Sequence, residues 1–291
     1  MPLSSSSVLI TGASTGIGAA CALGCAERGM TVFAGVRDSD AGGRLRRSGS
    51  RIHAVHLDVT DPDSIAAAAA EIRELVGQVG LNGLVNNAGI AIGSPLEVVP
   101  LEALRKQLEV NVIGQIAVTQ AFLPLLRQAR GRVVNMGSIA GRGTIPLMGP
   151  YSASKHALEA LTDALRLELQ PWGLFVSIIE PGAIATPIWD KSLKFGEQLE
   201  SLAGPQAHAL YGEAADRVKE AVARAARRAI PPEAVVEAVL HALTSPRPKT
   251  RYLVGTDAKI RAFMLKWFSD RTQDWLLTTL LKLPRFGSRL P

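Results

Sequence analysis

Seven short apolar runs recur along this chain, and longer helix-patterned stretches separate them. The runs are SVLI (7–10), TVFAGV (31–36), RIHAVHL (51–57), LNGLVN (81–86), RVVNMG (132–137), FVSIIE (175–180) and RYLVG (251–255). Strands apolar on both faces belong to a parallel sheet that helices cover on both sides. The helical stretches fall near 16–29, 61–79, 101–129, 151–171 and 231–244. Asp61 and Pro62 give the second of these a capped start with proline in its first turn. The alternation predicts an α/β fold built on one doubly wound, parallel, seven-stranded sheet.

Two segments break the rhythm. Residues 187–230 lengthen the last crossover into a helix-prone insertion, expected to act as a substrate lid. Residues 257–291 form a basic, amphipathic tail. We therefore expect one Rossmann-type α/β domain over 1–256, lid included, and a helical extension over 257–291. At 291 residues and 47% apolar content, the core is ample.

Where the first strand hands over to the first helix, TGASTGIG places Gly12, Gly16 and Gly18 in one turn. Such a turn offers backbone N–H groups and a helix N-terminus to an anion, and Ser14 and Thr15 add hydroxyls beside Ile17. Alone, the run fits a nucleotide site or an ordinary glycine-rich βα turn. The second strand ends in Val36 and Arg37, where a carboxylate would bind the ribose hydroxyls of NAD. A guanidinium there can grip a 2′-phosphate, which favours NADP(H). Asp38 and Asp40 lie close by, so NAD(H) stays open, as does a merely solvated Arg37.

Tyr151 and Lys155 in YSASK stand four apart and share one helix face. A free phenol titrates near 10, and a neighbouring cation lowers that value toward the range of a working acid/base. The bland alternative is an exposed Tyr/Lys pair. Ser138 follows the fifth strand, at the sheet edge where α/β folds bind ligands, and can hold a substrate oxygen against Tyr151. No Gly-x-Ser-x-Gly elbow surrounds it. His156 should point off that face.

The net charge of +6 suits an anionic small molecule or a membrane surface. Aromatic content of 5%, with no basic run interleaved with stacking residues, argues against nucleic acid. Cys21 and Cys25 read as small core residues, and no metal-ligand spacing occurs. Neither a signal peptide nor an uninterrupted apolar window of about 18 residues is visible, so a cytoplasmic protein is expected.

TGASTGIG, LDVT (57–60), NNAG (86–89), Asn111, Ser138, YSASK and PGAIAT (181–186) follow one another as in the short-chain dehydrogenase/reductase family, which this chain closely resembles over about residues 5–255. The resemblance implies NAD(P)-dependent oxidation of alcohols or reduction of carbonyls. It makes Tyr151 the acid/base, Lys155 its modulator and a ribose ligand, Ser138 the orienter of the substrate oxygen, and Asn111 the holder of a relay water. Asp58 and Val59 should meet the adenine, and Asn87, Ala88 and Gly89 the cofactor beside the fourth strand. Pro181, Gly182, Ile184 and Thr186 should flank the nicotinamide and phosphates. Gly137 replaces a serine common in relatives.

VFAGVRD, FLPLLRQARGRVVNMGSIAGR and VSIIEPGAIAT look most like the retinol and hydroxysteroid dehydrogenase branch. That implies a hydrophobic secondary alcohol or ketone, steroid- or retinoid-like, with a catalytically silent dinucleotide sensor as the alternative. Leu193, Phe195, Leu199, Leu202, Leu210 and Tyr211 either line an apolar pocket or form the packed face of the lid. The resemblance also implies pairing of helices 101–129 and 151–171 between chains, giving a homodimer or homotetramer. The tail mixes Lys and Arg with Phe263, Trp267, Phe268 and Trp275, as an interfacial membrane helix does. Packing against the body or a second subunit is the preferred expectation.

Overall fold

The computed structural model describes residues 6–284. Its centre is a parallel sheet of seven strands: β1 Ser7–Thr11, β2 Thr31–Val36, β3 Ile52–His56, β4 Gly83–Asn86, β5 Arg132–Met136, β6 Phe175–Pro181 and β7 Arg251–Val254. Their order is β3-β2-β1-β4-β5-β6-β7. Leu9 of β1 is in register with Phe33 of β2 on one side and Leu84 of β4 on the other. The order reverses between β1 and β4, which opens a crevice at the carboxyl ends of these strands.

Helices α1 Gly16–Glu27 and α8 Glu233–Thr244 cover one face. Cys21, Ala22 and Cys25 pack there with Val235 and Val239, so both thiols are small buried core groups. Helices α3 Pro62–Val76, α5 Gly114–Ala129 and α6 Gly149–Leu169 occupy the other. Phe122, Leu126 and Ile72 fill that core.

Three features depart from the sequence reading. A helix α2, Ser39–Ser48, follows β2, and its Gly42–Gly43 pair and charges had concealed it. Asp38 caps it by accepting from Asp40 N at 3.0 Å. The 101–129 stretch is α4 Leu101–Leu108, then a π-turn over Glu109–Ile113, then α5. That stretch is apolar enough to cross a membrane, at mean hydropathy 1.3. Val118, Phe122, Leu125 and Leu126 are nevertheless buried against the sheet, which makes it a core element. The 187–230 insertion is α7, Ile188–Arg227, broken at Gly204, where φ is +78° just before Pro205. The tail forms α9 Thr256–Trp267 and α10 Asp270–Leu280.

Candidate active site

The turn after β1 lies along a cavity of about 1030 Å³. Gly12 and Gly16 hold φ of +63° and +59°, a left-handed conformation that costs other residues about 1–2 kcal/mol. The end of β4 braces this turn. Thr11 Oγ1 accepts from Asn87 N and Ala88 N, both at 3.0 Å. Asn87 Nδ2 donates to the carbonyls of Thr11 and Gly12 at 2.9 and 3.2 Å. Gly18 is absent from the cavity wall; a Cβ there would run into the Gly12 carbonyl and the Asn87 amide. It seats α1 on the turn.

Asp38 and Asp61 cap α2 and α3 through their side chains. Helix α1 has no such cap and no acidic residue in its first turn. Its free N–H donors and the positive end of its dipole therefore face the cavity beside Ser14, Thr15, Gly16 and Ile17, an arrangement that suits a pyrophosphate.

Arg37 lies exposed at the end of β2, with Nη1 3.6 Å from Asp58 Oδ2. Burial pulls the Asp58 carboxyl up, but hydrogen bonds from Thr60 and the Arg37 charge outweigh it, and the net shift is downward. Asp38 caps α2 with Oδ1 and also lines the cavity beside Arg37. Val59 is buried, and Asp58, Ala88 and Gly89 complete this wall.

Beyond the carboxyl end of β5, Ser138, Tyr151 and Lys155 converge on the same cavity. Lys155 is buried and donates from Nζ to the Met136 carbonyl at 2.7 Å. Burial lowers its pKa to about 8, and the Glu159 carboxylate one turn further on opposes that fall. Burial raises the Tyr151 phenol above its ordinary range, while the Ser138 hydroxyl pulls it down. The lowering expected from Lys155 is not expressed here: its ammonium stands 5.8 Å from the centre of the Tyr151 ring and bonds a carbonyl instead. His156 is exposed and turns back to the Ser152 carbonyl.

Asn111 sits in the π-turn, fully buried and behind the cavity wall. Its Oδ1 accepts from Ile90 N at 2.9 Å, and its Nδ2 donates to Ile90 O at 2.9 Å and Ser154 Oγ at 3.0 Å. The side chain is spent on tying α6 to the loop after β4. Gly137 also has a packing reason. A Cβ there would stand 2.8 Å from Ile178 side-chain atoms and 2.9 Å from the Ile179 carbonyl. Gly137→Ser is expected to cost about 1–3 kcal/mol, read as a lower denaturation midpoint at unchanged slope.

Pro181, Gly182, Ile184 and Thr186 close the wall past β6, although the Ile184 side chain belongs to the core. Asp257 of the tail accepts from Ala183 N at 2.7 Å. Of the insertion residues expected to line a pocket or pack, Leu193, Leu199 and Tyr211 line the cavity, and Tyr211 hydrogen-bonds Glu97. Phe195 packs on the small cluster of Ile92, Ala103 and Leu199, while Leu210 is exposed. The Leu202 side chain lies outside the described residues. Trp189 and Arg261 also line the cavity. Neither carried a sequence signal, because only the chain's return across the sheet edge brings them there.

The short chain dehydrogenase family, compared as a sequence profile, matches residues 6–195. Retinol dehydrogenase 5 of Mus musculus is 38% identical over 98% of this chain and 91% of its own length. NADPH-dependent 3-dehydrocapnine reductase of Ornithobacterium rhinotracheale is 37% identical over 94% of this chain and 96% of its own. A short chain dehydrogenase from Burkholderia cenocepacia, solved in complex with NADP, superposes with a TM-score of 0.72 at 29% identity, covering 98% of this chain and all of that one.

Proposed function

This chain belongs to the short-chain dehydrogenase family, in its retinol and hydroxysteroid dehydrogenase branch, and from that premise we propose that it interconverts a hydrophobic secondary alcohol and its ketone with NADP(H). The family binds NAD(P), and the uncapped start of α1 between two left-handed glycines fits the pyrophosphate of such a cofactor. When bound, the cofactor supplies or accepts the hydride.

The protein's own groups handle the proton and the orientation. Ser138 holds the substrate oxygen, and Tyr151 gives that oxygen a proton in reduction or takes one in oxidation. Lys155, held by the Met136 carbonyl, supplies a ligand for the ribose. The apolar wall from Leu193, Leu199 and Trp189 favours a lipophilic substrate. The observation that carries the reading is the convergence of Ser138, Tyr151 and Lys155 on the cavity that also receives the start of α1.

Arg37 supports NADP(H). An exposed guanidinium at the end of β2 faces the cavity and meets only Asp58, at 3.6 Å, among the described ion pairs. A hydrogen bond to a charged group contributes about 1.5–3 kcal/mol. Arg37→Ala is therefore expected to lower kcat/KM for NADPH by about 10–100-fold while NADH barely changes. Retinoids, steroids and small ketones, followed at the reduced-nicotinamide band, provide the assay. A wild type that prefers NADH overturns the cofactor assignment, and no turnover across the panel overturns the reaction.

A further inference from the structure

Helix α9 packs on the short turn Ile139–Gly141 that follows Ser138. Gly143 permits that approach, because a Cβ there would collide with Leu265 of the helix. Arg261 lies one turn before Leu265, and its Nη2 donates to the Thr144 carbonyl at 2.9 Å. The guanidinium thus reaches the loop whose two ends carry Ser138 and Tyr151, and it lines the same cavity.

What this guanidinium lacks is a carboxylate. Arg142 and Arg251, beneath the site, meet Glu180 and Glu159. Arg132 serves structure without an ion pair, but it donates to two carbonyls, of Ala242 and Ser245, and lies over the Phe175 ring. Arg261 is half-buried; among the described residues its bond to Thr144 is its one hydrogen bond, and it makes no ion pair. Asp257, one turn earlier, turns its carboxylate to Ala183 N at 2.7 Å instead. Burial pulls the Arg261 pKa down. Taking a cation partly out of water costs free energy until an anion meets it.

The geometry points to Arg261 as the anchor for an oxyanion, a carboxylate above all, that the substrate carries away from its reacting carbon. This assignment rests on the reading of the cavity as a ketone and alcohol site. A guanidinium offers a planar fork that matches a carboxylate. Ile139, Ile145 and Leu147 line the cavity on the loop between Ser138 and Tyr151, so the body of the substrate stays apolar. Lys191 of α7 adds positive charge to the same wall. The other carboxylates among the described lining residues, Asp38 and Asp58, belong to the Arg37 end. The substrate class is therefore an amphiphile, with its carbonyl at Ser138 and its anionic group at Arg261. A neutral retinoid or steroid leaves that cation unanswered.

The test compares straight-chain oxo acids, with the ketone set at increasing distance from the carboxylate, with their own primary amides. Calorimetric titration into the chain loaded with NADP⁺ reads binding without turnover, and absorbance at the reduced-nicotinamide band reads kcat/KM with NADPH. The best acid is expected to exceed its amide by about 10–100-fold in both, the range for one hydrogen bond to a charged group. Arg261→Gln should remove the preference, and Arg261→Lys should keep part of it. Each ratio is taken within one preparation, so a loss of folded variant cancels. Equal binding of acid and amide by the wild type at every spacing overturns the proposal. A preference that Arg261→Gln retains overturns it as well. A binding preference with no turnover of any pair leaves the anchor standing and overturns the ketone reaction.

Discussion

Replacing Tyr151 by phenylalanine is expected to lower kcat by about 10²–10⁴-fold, the usual worth of a positioned proton-transfer group, and to leave cofactor affinity unchanged. The ring stays in place because its packing is retained, so Lys155 keeps its bond to the Met136 carbonyl. Only the hydroxyl that faces Ser138 is lost. Titration of cofactor into the variant separates the two quantities: binding with collapsed turnover is the expected pair. Unchanged turnover would remove Tyr151 from the reaction. A loss of binding equal to the loss of rate would mean that the phenol orders the site and moves no proton.

Arg251→Met is expected to lower the melting temperature by roughly 6–12 °C, taking about 3 kcal/mol for breaking a buried ionic cluster and 2–4 °C per kcal/mol. The cluster lies just beneath Lys155. Arg251 of β7 meets Glu159 Oε2 at 3.2 Å, Glu180 Oε1 at 3.4 Å and Asp163 Oδ2 at 2.6 Å. Arg142 meets Glu180 at 2.7 Å. Glu180 is wholly buried. Without Arg251, Glu159 and Glu180 face each other with only Arg142 of the described ion pairs against Glu180, while Arg166 still pairs with Asp163.

The same cluster sets a pH dependence. Burial first, and then the Glu180 charge, raise Glu159 from 4.5 to about 7, against the pull of both arginines. A carboxyl raised in the folded state binds its proton more tightly there than in the unfolded chain. Its contribution is complete below pH 4.5 and fades as pH climbs to about 7. Methionine at 251 removes an opposing cation, so the decline should steepen and run to higher pH. Melting curves at pH 5 and pH 8 provide the comparison, and a shift under 2 °C at both would show that the cluster is energetically idle.

Much of this site was readable in the sequence for specific physical reasons. Parallel strands buried on both faces appear as unbroken apolar runs, so SVLI and FVSIIE announced β1 and β6. The helical period alone put Tyr151 and Lys155 on one face, and three glycines in one turn announced a βα junction. Other parts depended on partners far away in sequence. Gly137 looked like a missing serine, yet its reason is Ile178 on the adjacent strand. Asn111 was legible only as a motif residue, and its π-turn and its bonds to Ile90 and Ser154 carried no sequence signal. Helix α2 was hidden by its two glycines. Trp189, Asp257 and Arg261 became visible only when the lid and tail had been traced back to the crevice. Cross-strand packing and chain return leave no periodic trace.

Helix α1 begins without a side chain of its own to finish it, unlike α2 and α3. A dinucleotide phosphate bound there would complete that end, and ligand present at a hundred times its Kd would add about 2.7 kcal/mol to the stability of the whole chain. Stability is therefore expected to rise with coenzyme concentration, read as a melting temperature that climbs on titration with NADPH.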